Sequence, residues 1–308
     1  MKKKIIIGTR GSVLALWQAR WVQSCLQKIH PECNVDLCII KTKGDKILDV
    51  PLAKVGGKGL FVKEIETALL EKQIDLAVHS MKDMPSEIPE GLCLGAITKR
   101  ENPQDVLISR NGHVLSNLPE KARVGTSSLR RSSQLLNHRP DLTIIPLRGN
   151  LDTRLKKLET ENLDAIILAA AGVIRLELES RISEFIDTDL MVPAVGQGAL
   201  GIEIRSDDTH MVSTIGKLND IETNAAVSAE RAFLHQLDGG CQVPIGAFAR
   251  VKNQTLHIQG MVAGLTGTPL LKHELSGTTD QAVQLGISLA SKLMKQGAKE
   301  ILDNIYHR

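Results

Sequence analysis

The chain is predicted to be an α/β protein with two similar lobes followed by a small α+β domain. Three short motifs recur in one order: 7–11 is echoed at 124–128, 39–45 at 144–150, and 74–78 at 163–167. Strand and helix patterns alternate around these motifs, which favours parallel sheets. In such sheets ligands bind at the carboxyl ends of the strands, so the motifs mark predicted binding loops.

The first lobe is predicted to occupy 1–98 together with 199–216. Its first helix is indicated by Leu14, Trp17 and Trp21, which recur at helical spacing after a short apolar strand. The predicted elements are strands at 4–8, 34–42, 75–79 and 200–205, and helices at 12–29 and 60–73.

The second lobe is predicted to occupy 104–192 and to repeat the order of the first. The chain enters it near 98–103 and leaves it near 192–198, and two crossings of this kind are expected to form a hinge. Two α/β lobes that face each other would place their strand ends across a shared cleft. That arrangement resembles the bilobal fold of periplasmic binding proteins.

A different pattern begins near residue 220 and predicts a small α+β domain over 220–308. Its predicted elements are a helix ending at 237, strands near 245–251, 255–263 and 270–276, and a helix at 280–296. The turn after the first helix contains Cys241, which follows two glycines. The glycines let the backbone bend and expose the thiol, which suggests covalent chemistry, although a structural turn explains the same residues.

Composition excludes several classes of function. The 308 residues carry 38 Lys and Arg against 35 Asp and Glu, and only four Phe, two Trp and one Tyr. A net charge of +3 and so few aromatic rings argue against nucleic-acid binding. The five cysteines show no CxxC spacing, so neither a disulfide framework nor a metal site is expected. The short apolar runs predict no signal peptide and no membrane span, and we expect a cytoplasmic monomer.

Cations cluster where the predicted strands end. Arginine binds carboxylate or phosphate with a planar fork, and helix N-termini add free N–H groups, so the set favours an anion site. Solvated surface charge is the alternative for any single member. The residues concerned are Arg10, Lys82, Arg130, Arg131, Arg148, Arg154 and Arg175.

Asp83 follows a predicted strand and stands beside Lys82. A carboxylate among cations stays ionised, and it could stabilise a developing cation or pass a proton to a leaving amine. A turn residue before Pro85 is the alternative. Nearby His79 is interpreted as a structural residue at the strand end. The loop at 54–61 is rich in Gly and Lys but lacks the GxxxxGK[ST] pattern, and we interpret it as a flap.

Five motifs together resemble the porphobilinogen deaminase family, also called hydroxymethylbilane synthase. The resemblance runs from the first strand into the third domain. The motifs are Gly8-Thr9-Arg10-Gly11-Ser12, His79-Ser80-Met81-Lys82-Asp83-Met84-Pro85, Gly125-Thr126-Ser127-Ser128-Leu129-Arg130-Arg131, Arg148-Gly149-Asn150 and Gly239-Gly240-Cys241.

The resemblance implies an enzyme that joins four porphobilinogen molecules into hydroxymethylbilane with release of ammonia. It implies a dipyrromethane cofactor, bound to Cys241 through a thioether, on which the chain grows, and it implies Asp83 as the catalytic residue. The implied cofactor contacts are Ser12, Lys82, Asp83, Thr126, Ser127, Ser128, Arg130, Arg131, Arg148, Gly149 and Asn150. The implied substrate contacts are Arg10, Arg148, Arg154, Arg175, Lys54, Lys58 and Phe61.

Two other functions fit part of the pattern. A non-catalytic bilobal protein that binds a small polycarboxylate would explain the echo and the arginines, but not Cys241 or Asp83. A cysteine acyl transferase would need a histidine base, and His235 lies on the predicted helix near Cys241.

Overall fold

The computed structural model describes residues 4–46, 59, 62–239 and 243–306. The strands are β1 (Lys4–Thr9), β2 (Asn34–Ile39), β3 (Leu76–Ser80), β4 (Leu92–Ile97), β5 (Asp105–Ser109), β6 (Arg123–Gly125), β7 (Thr143–Ile145), β8 (Ala165–Ala169), β9 (Glu184–Ile186), β10 (Leu200–Arg205), β11 (Ile245–Lys252), β12 (Thr255–Ala263) and β13 (Leu270–Thr278). The helices are α1 (Val13–Ile29), α2 (Lys43–Lys46), α3 (Lys63–Leu70), α4 (Leu129–His138), α5 (Leu151–Thr160), α6 (Ala170–Arg175), α7 (Thr209–Ile215), α8 (Ile221–Gln236), α9 (Ala282–Leu293) and α10 (Lys299–Tyr306).

Two five-stranded sheets share one strand order. The first sheet runs β2-β1-β3-β10-β4, and the second runs β7-β6-β8-β5-β9. In each sheet the first three strands are parallel, and the fourth is antiparallel to both of its neighbours. Apolar clusters cover both faces of each sheet, as expected for strands buried between helices.

The expectation of parallel sheets is therefore confirmed for the first three strands of each sheet and wrong for the pairs that the fourth strand makes. Strands β10 and β5 are each the first strand of their sheet after the chain has left the other one. Strand β10 pairs antiparallel with β3 and β4, and β5 does so with β8 and β9. Helical crossovers produce parallel neighbours, whereas these two strands enter their sheets by a different route.

The predicted echo is present at the level of single hydrogen bonds. The Ile6 N–H donates to the Asp75 carboxylate at 2.8 Å, and the Arg123 N–H donates to Asp164 at 2.7 Å. The backbone N–H of each aspartate in turn donates to the carbonyl of the same partner residue at 2.9 Å. The recurring sequence motifs therefore build the same junction in both sheets.

The C-terminal strands form a separate three-stranded antiparallel sheet. Its order is β11-β12-β13, and its apolar face packs with α8 and α9 around the fully buried Phe233. The three predicted strands are confirmed to within two residues at their ends. The predicted last helix at 280–296 contains α9, and a kink at Gly297, where φ is +102°, follows its predicted end before α10 extends to Tyr306.

The chain divides into two compact units, which we call unit 1 and unit 2. Unit 1 comprises Met1–Glu101 and Ala199–Asn224, and unit 2 comprises Asn102–Gly198 and Ala225–Arg308. Unit 1 holds the first sheet, whereas unit 2 holds the second sheet and the C-terminal one. The predicted three-domain boundaries, the hinge and the cleft stay predictions.

Candidate active site

A pocket in unit 1 lies at the carboxyl ends of β1 and β3. Its polar lining comes from the loop after β1, from the first turns of α1, and from the end of β3 with the 3-10 turn that follows it. The polar lining residues are Arg10, Ser12, Gln18, His79, Ser80, Lys82 and Asp83. Parallel strands place these loops together, so the structure unites Arg10, Ser12, Lys82 and Asp83 as predicted site residues.

The 3-10 turn after β3 places the acidic residue Asp83 directly after the basic residue Lys82. Met81–Asp83 forms this turn, with Met81 buried, Lys82 half-buried and Asp83 exposed. The Met81 N–H donates to the Ala199 carbonyl at 3.0 Å, which fastens the turn to the segment before β10. The apolar anchor therefore fixes the turn, while the Asp83 carboxylate stays accessible to a ligand.

Helix N-termini of unit 2 hold the other predicted polar residues. Ser128 caps α4, where the Arg131 N–H donates to its hydroxyl oxygen, and Asn150 caps α5 through Thr153 at 2.9 Å. Ser127 donates its hydroxyl to the Leu147 carbonyl at 3.0 Å. The side chains of Ser127, Ser128 and Asn150 thus shape these loops, and the first turn of a helix is where backbone N–H groups can bind an anion.

Arg130 and Arg131 meet a buried carboxylate that sequence reasoning missed. Arg130 Nη1 donates to Asp105 Oδ2 at 2.7 Å, and Arg131 donates through Nε and Nη2 to Oδ1 at 3.0 and 2.7 Å. Burial alone would raise the pKa of Asp105, yet the two guanidinium groups hold it well below its usual range. Asp105 therefore explains two arginines in a helical first turn, for which the sequence had suggested a ligand or solvated surface charge.

The remaining predicted arginines of unit 2 differ in burial. Arg148 and Arg154 are half-buried, and Arg154 Nε donates to the carbonyl of Gly149 at 2.9 Å. Gly149 has a φ of +112°, a conformation that favours glycine. Arg175 is buried and donates to the Gly198 carbonyl at 2.7 Å. Thr126 is buried, and its hydroxyl oxygen accepts the Ser128 N–H at 3.2 Å.

Four predicted site residues lie outside the described residues: Cys241, Lys54, Lys58 and Phe61. The structure does describe the residues that precede the cysteine. Asp238 has a φ of +49°, Gly239 is buried, and the Tyr306 hydroxyl donates to the Asp238 carbonyl at 3.0 Å. His235 is exposed in the last turn of α8.

Two family models match the chain in succession. Residues 5–213 match "Porphobilinogen deaminase, dipyromethane cofactor binding domain", and residues 224–295 match "Porphobilinogen deaminase, C-terminal domain". The chain belongs to the porphobilinogen deaminase family. Enzymes of this name are hydroxymethylbilane synthases, which are transferases of tetrapyrrole biosynthesis, and this chain is one of them.

Relatives confirm this membership over nearly the full length. The porphobilinogen deaminase of Carboxydothermus hydrogenoformans is 55% identical over 305 residues, covering 99% of this chain and 98% of the relative. That of Geobacter metallireducens is 55% identical over 306 residues, covering 99% and 96%. An arginine-specific periplasmic binding protein of Salmonella typhimurium has a TM-score of 0.41 at 14% identity, covering 70% of this chain and 92% of its own. The α/β fold class rests instead on the matching strand orders of the two sheets.

The donor set fits the dipyrromethane cofactor of this family. A dipyrromethane built from two porphobilinogen molecules carries four carboxylates, and unit 1 and unit 2, each taken by itself, hold cations and helix N-termini of the kind that bind carboxylates. The half-buried pair Arg148 and Arg154 flanks Gly149, whose positive φ favours glycine in this turn. The porphobilinogen deaminase cofactor is therefore compatible with the residues present.

Across the described ranges, no helix is long and apolar enough to cross a membrane. The same residues contain no group of three or more His, Cys, Asp or Glu side chains arranged to hold a metal ion. Besides Asp105, sequence reasoning missed the role of Glu203, which pairs with His79 at 3.0 Å. An acid inside the apolar strand 200–205 was the one available signal.

Proposed function

We propose that this enzyme joins four porphobilinogen molecules head to tail into hydroxymethylbilane. Each addition breaks the C–N bond of one aminomethyl group and forms one C–C bond between pyrrole rings. Ammonia leaves, and the proton lost from the attacked ring carbon balances the proton delivered to the leaving nitrogen. Water finally releases the product. The observation that carries the proposal is Asp83 with Lys82 and Arg10 around one pocket.

Asp83 is proposed as the catalytic residue of this reaction. Its carboxylate is exposed and lines the pocket with Arg10 and Lys82, which supports a role in accepting pyrrole N–H groups and in stabilising positive charge as the C–N bond breaks. In its protonated form it would deliver the proton to the leaving nitrogen. The dipyrromethane, when bound, supplies the pyrrole to which substrate is added.

The cations are proposed to bind the acetate and propionate groups of the pyrroles. Arg10 would act in unit 1, and Arg148, Arg154 and Arg175 in unit 2, each through charge-assisted hydrogen bonds. Within the part of the chain that the structure describes, Arg130 and Arg131 share the Asp105 carboxylate, so this buried group of charges has an excess of one positive charge. Buried charges are paired in folded proteins, which supports a ligand carboxylate as their further partner.

Cys241 is proposed to hold the cofactor through a thioether, as a permanent anchor in a cytoplasmic monomer. Lys54, Lys58 and Phe61 are proposed to contact substrate. A non-catalytic binding protein is not favoured, because the family is enzymatic. The acyl-transferase alternative is not favoured either, because the relatives are deaminases.

Intact-mass measurement tests the anchor. Protein purified from a host that makes porphobilinogen should exceed its sequence mass by one dipyrromethane, and Cys241→Ser should remove that excess. Cys93→Ser is the matched control, since Cys93 is half-buried on β4 and should keep the adduct. An adduct that survives Cys241→Ser would contradict the assignment. Porphobilinogen consumption without bilane or ammonia would contradict the reaction.

A further inference from the structure

His79 faces the pocket of Asp83 and is almost fully buried. It lines that pocket together with Arg10, Lys82 and Asp83, and its exposed fraction is 6%. Its Nε2 lies 3.0 Å from Glu203 Oε2. Within the described part of the chain, the ring makes no other hydrogen bond. Nδ1 is thus the ring nitrogen available to a ligand.

Glu203 is the buried hydrogen-bond partner of this histidine. It lies on β10 with an exposed fraction of 0%, and in the described residues its Oε1 has no hydrogen-bond partner. The pairing of β10 with β3 sets Glu203 two residues from the position opposite His79, on the same face of the sheet. A buried carboxylate with one polar contact is costly unless that contact is a cation, which supports the pairing of Glu203 with an imidazolium.

Glu66 is the other acid near this pair. It is buried on α3, and burial followed by the Glu203 charge raises its pKa. The charged and titratable groups around His79 and its partner are Glu203, Glu66, Lys63, Cys93, Arg10, Lys82 and Asp83.

We propose that His79 is a substrate-binding residue whose imidazolium, held by Glu203, donates its Nδ1–H to a carboxylate of the pyrrole bound beside Asp83. The inference rests on the proposed porphobilinogen-joining function and names a cation of that pocket which is neither arginine nor lysine. An imidazolium differs from these in losing its charge near neutral pH. The affinity of the pocket for a dianionic pyrrole therefore depends on pH through His79.

The test is the pH profile of KM and kcat for porphobilinogen, measured on cofactor-loaded enzyme from about pH 6 to about pH 9, a range that spans histidine titration. We expect wild-type KM to rise as the medium becomes alkaline. His79→Gln should raise KM about 10-fold or more at the acidic end, as befits one lost charge-assisted hydrogen bond, and should leave a flatter profile. Titration of the substrate itself is common to all variants and cancels in the comparison.

Glu203→Gln keeps the histidine and removes its counter-charge. We expect KM to begin its rise at a lower pH than in the wild type, with kcat much less affected than KM. His113→Gln is the matched control, since His113 is exposed in unit 2 and should leave the profile unchanged. If His79→Gln does not fold, the Glu203→Gln profile still decides the question.

Two outcomes would overturn the inference. One is a His79→Gln profile parallel to that of the wild type. The other is an equal fall in kcat at every pH with KM unchanged, which a merely structural role would produce. A wild-type enzyme that forms no bilane would instead remove the proposed function itself.

Discussion

The two five-stranded sheets have the same strand order, but their buried carboxylates occupy different positions. Ser80 and Ala169 are equivalent positions on β3 and β8, and Leu200 and Asp105 lie opposite them. An acid therefore replaces a leucine at the carboxyl end of the second sheet. The first sheet carries its buried acid, Glu203, three residues further along the antiparallel strand.

The two sheets therefore differ in the charged groups found at the carboxyl ends of their parallel strands. In unit 2, Asp105 reaches the first turn of α4 and orders two arginines there. In unit 1 the equivalent leucine is apolar, and the strand end presents Asp83 to a pocket. The shared fold therefore sets the position of a functional group, whereas the residue type at single positions sets whether that position is acidic or basic.

The largest effect is expected from replacing Asp83, the exposed acid of the unit 1 pocket. Asp83→Asn should keep the fold and the cofactor adduct and lower kcat about 10²- to 10⁴-fold, because the amide neither holds nor donates the proton. Single-turnover rates and intact mass measure the two properties. Glu90→Gln, an exposed acid of the same unit, is the control. Near-normal bilane formation by Asp83→Asn would place the acid elsewhere.

Replacing the unit 2 acid should affect stability before chemistry. Asp105→Asn leaves two buried guanidinium groups without their carboxylate, and we expect a loss of about 3–5 kcal/mol in the free energy of unfolding. Denaturant titration measures it, with the exposed Glu120→Gln as control. A variant as stable as the wild type would show that the arginines need no internal counter-charge.

Lowering the pH should weaken the interaction of Asp105 with the two arginines in the wild-type protein. The pKa of Asp105 is lowered in the folded state, so its stabilisation is complete above the unfolded-state pKa of about 4. That stabilisation is lost as pH falls from there towards the folded-state pKa. Unfolding free energies measured from neutral to acidic pH should decline less steeply in Asp105→Asn than in the wild type. Equal slopes would contradict the assignment.

A surface-accessible cation of unit 2 tests anion binding with an intermediate effect. Arg148→Ala should weaken carboxylate binding by about 1.5–3 kcal/mol, seen as a smaller holo fraction by intact mass and a higher KM. Arg123→Ala is the matched control, because Arg123 is exposed at the opposite end of the second sheet. Equal effects of the two substitutions would reduce Arg148 to general surface charge.

The smallest effect concerns the junction that both sheets share. A Cβ on Gly8 would overlap Ile74, and one on Gly125 would lie 2.8 Å from Leu163 Cδ1. We expect Gly8→Ala and Gly125→Ala each to cost about 1–3 kcal/mol in unfolding free energy.

Shortening the facing side chain should recover part of that loss. The pairs to combine are Gly8→Ala with Ile74→Val, and Gly125→Ala with Leu163→Val. Double-mutant cycles measure the coupling. Coupling in one pair and not the other would show that the junctions differ.

The sequence by itself determined the repeated α/β pattern, the three C-terminal strands, and the strand-end places of Arg10, Lys82 and Asp83. These follow from local spacing, since apolar periodicity and glycine turns act over a few residues. The predicted strand at 34–42 ends three residues earlier, at Ile39, and the final helix α10 was missed. The kink at Gly297, directly after the predicted end of the last helix at 296, separates α10 from α9.

Tertiary structure alone decided the directions of β5 and β10 and the partners of the buried charges. Asp105 binds arginines 25 and 26 residues away, and Glu203 meets His79 across 124 residues. Strand direction depends on the route by which the chain enters a sheet, and the cost of a buried charge depends on what packs around it. Neither is contained in local spacing, because both arise only when distant segments come together.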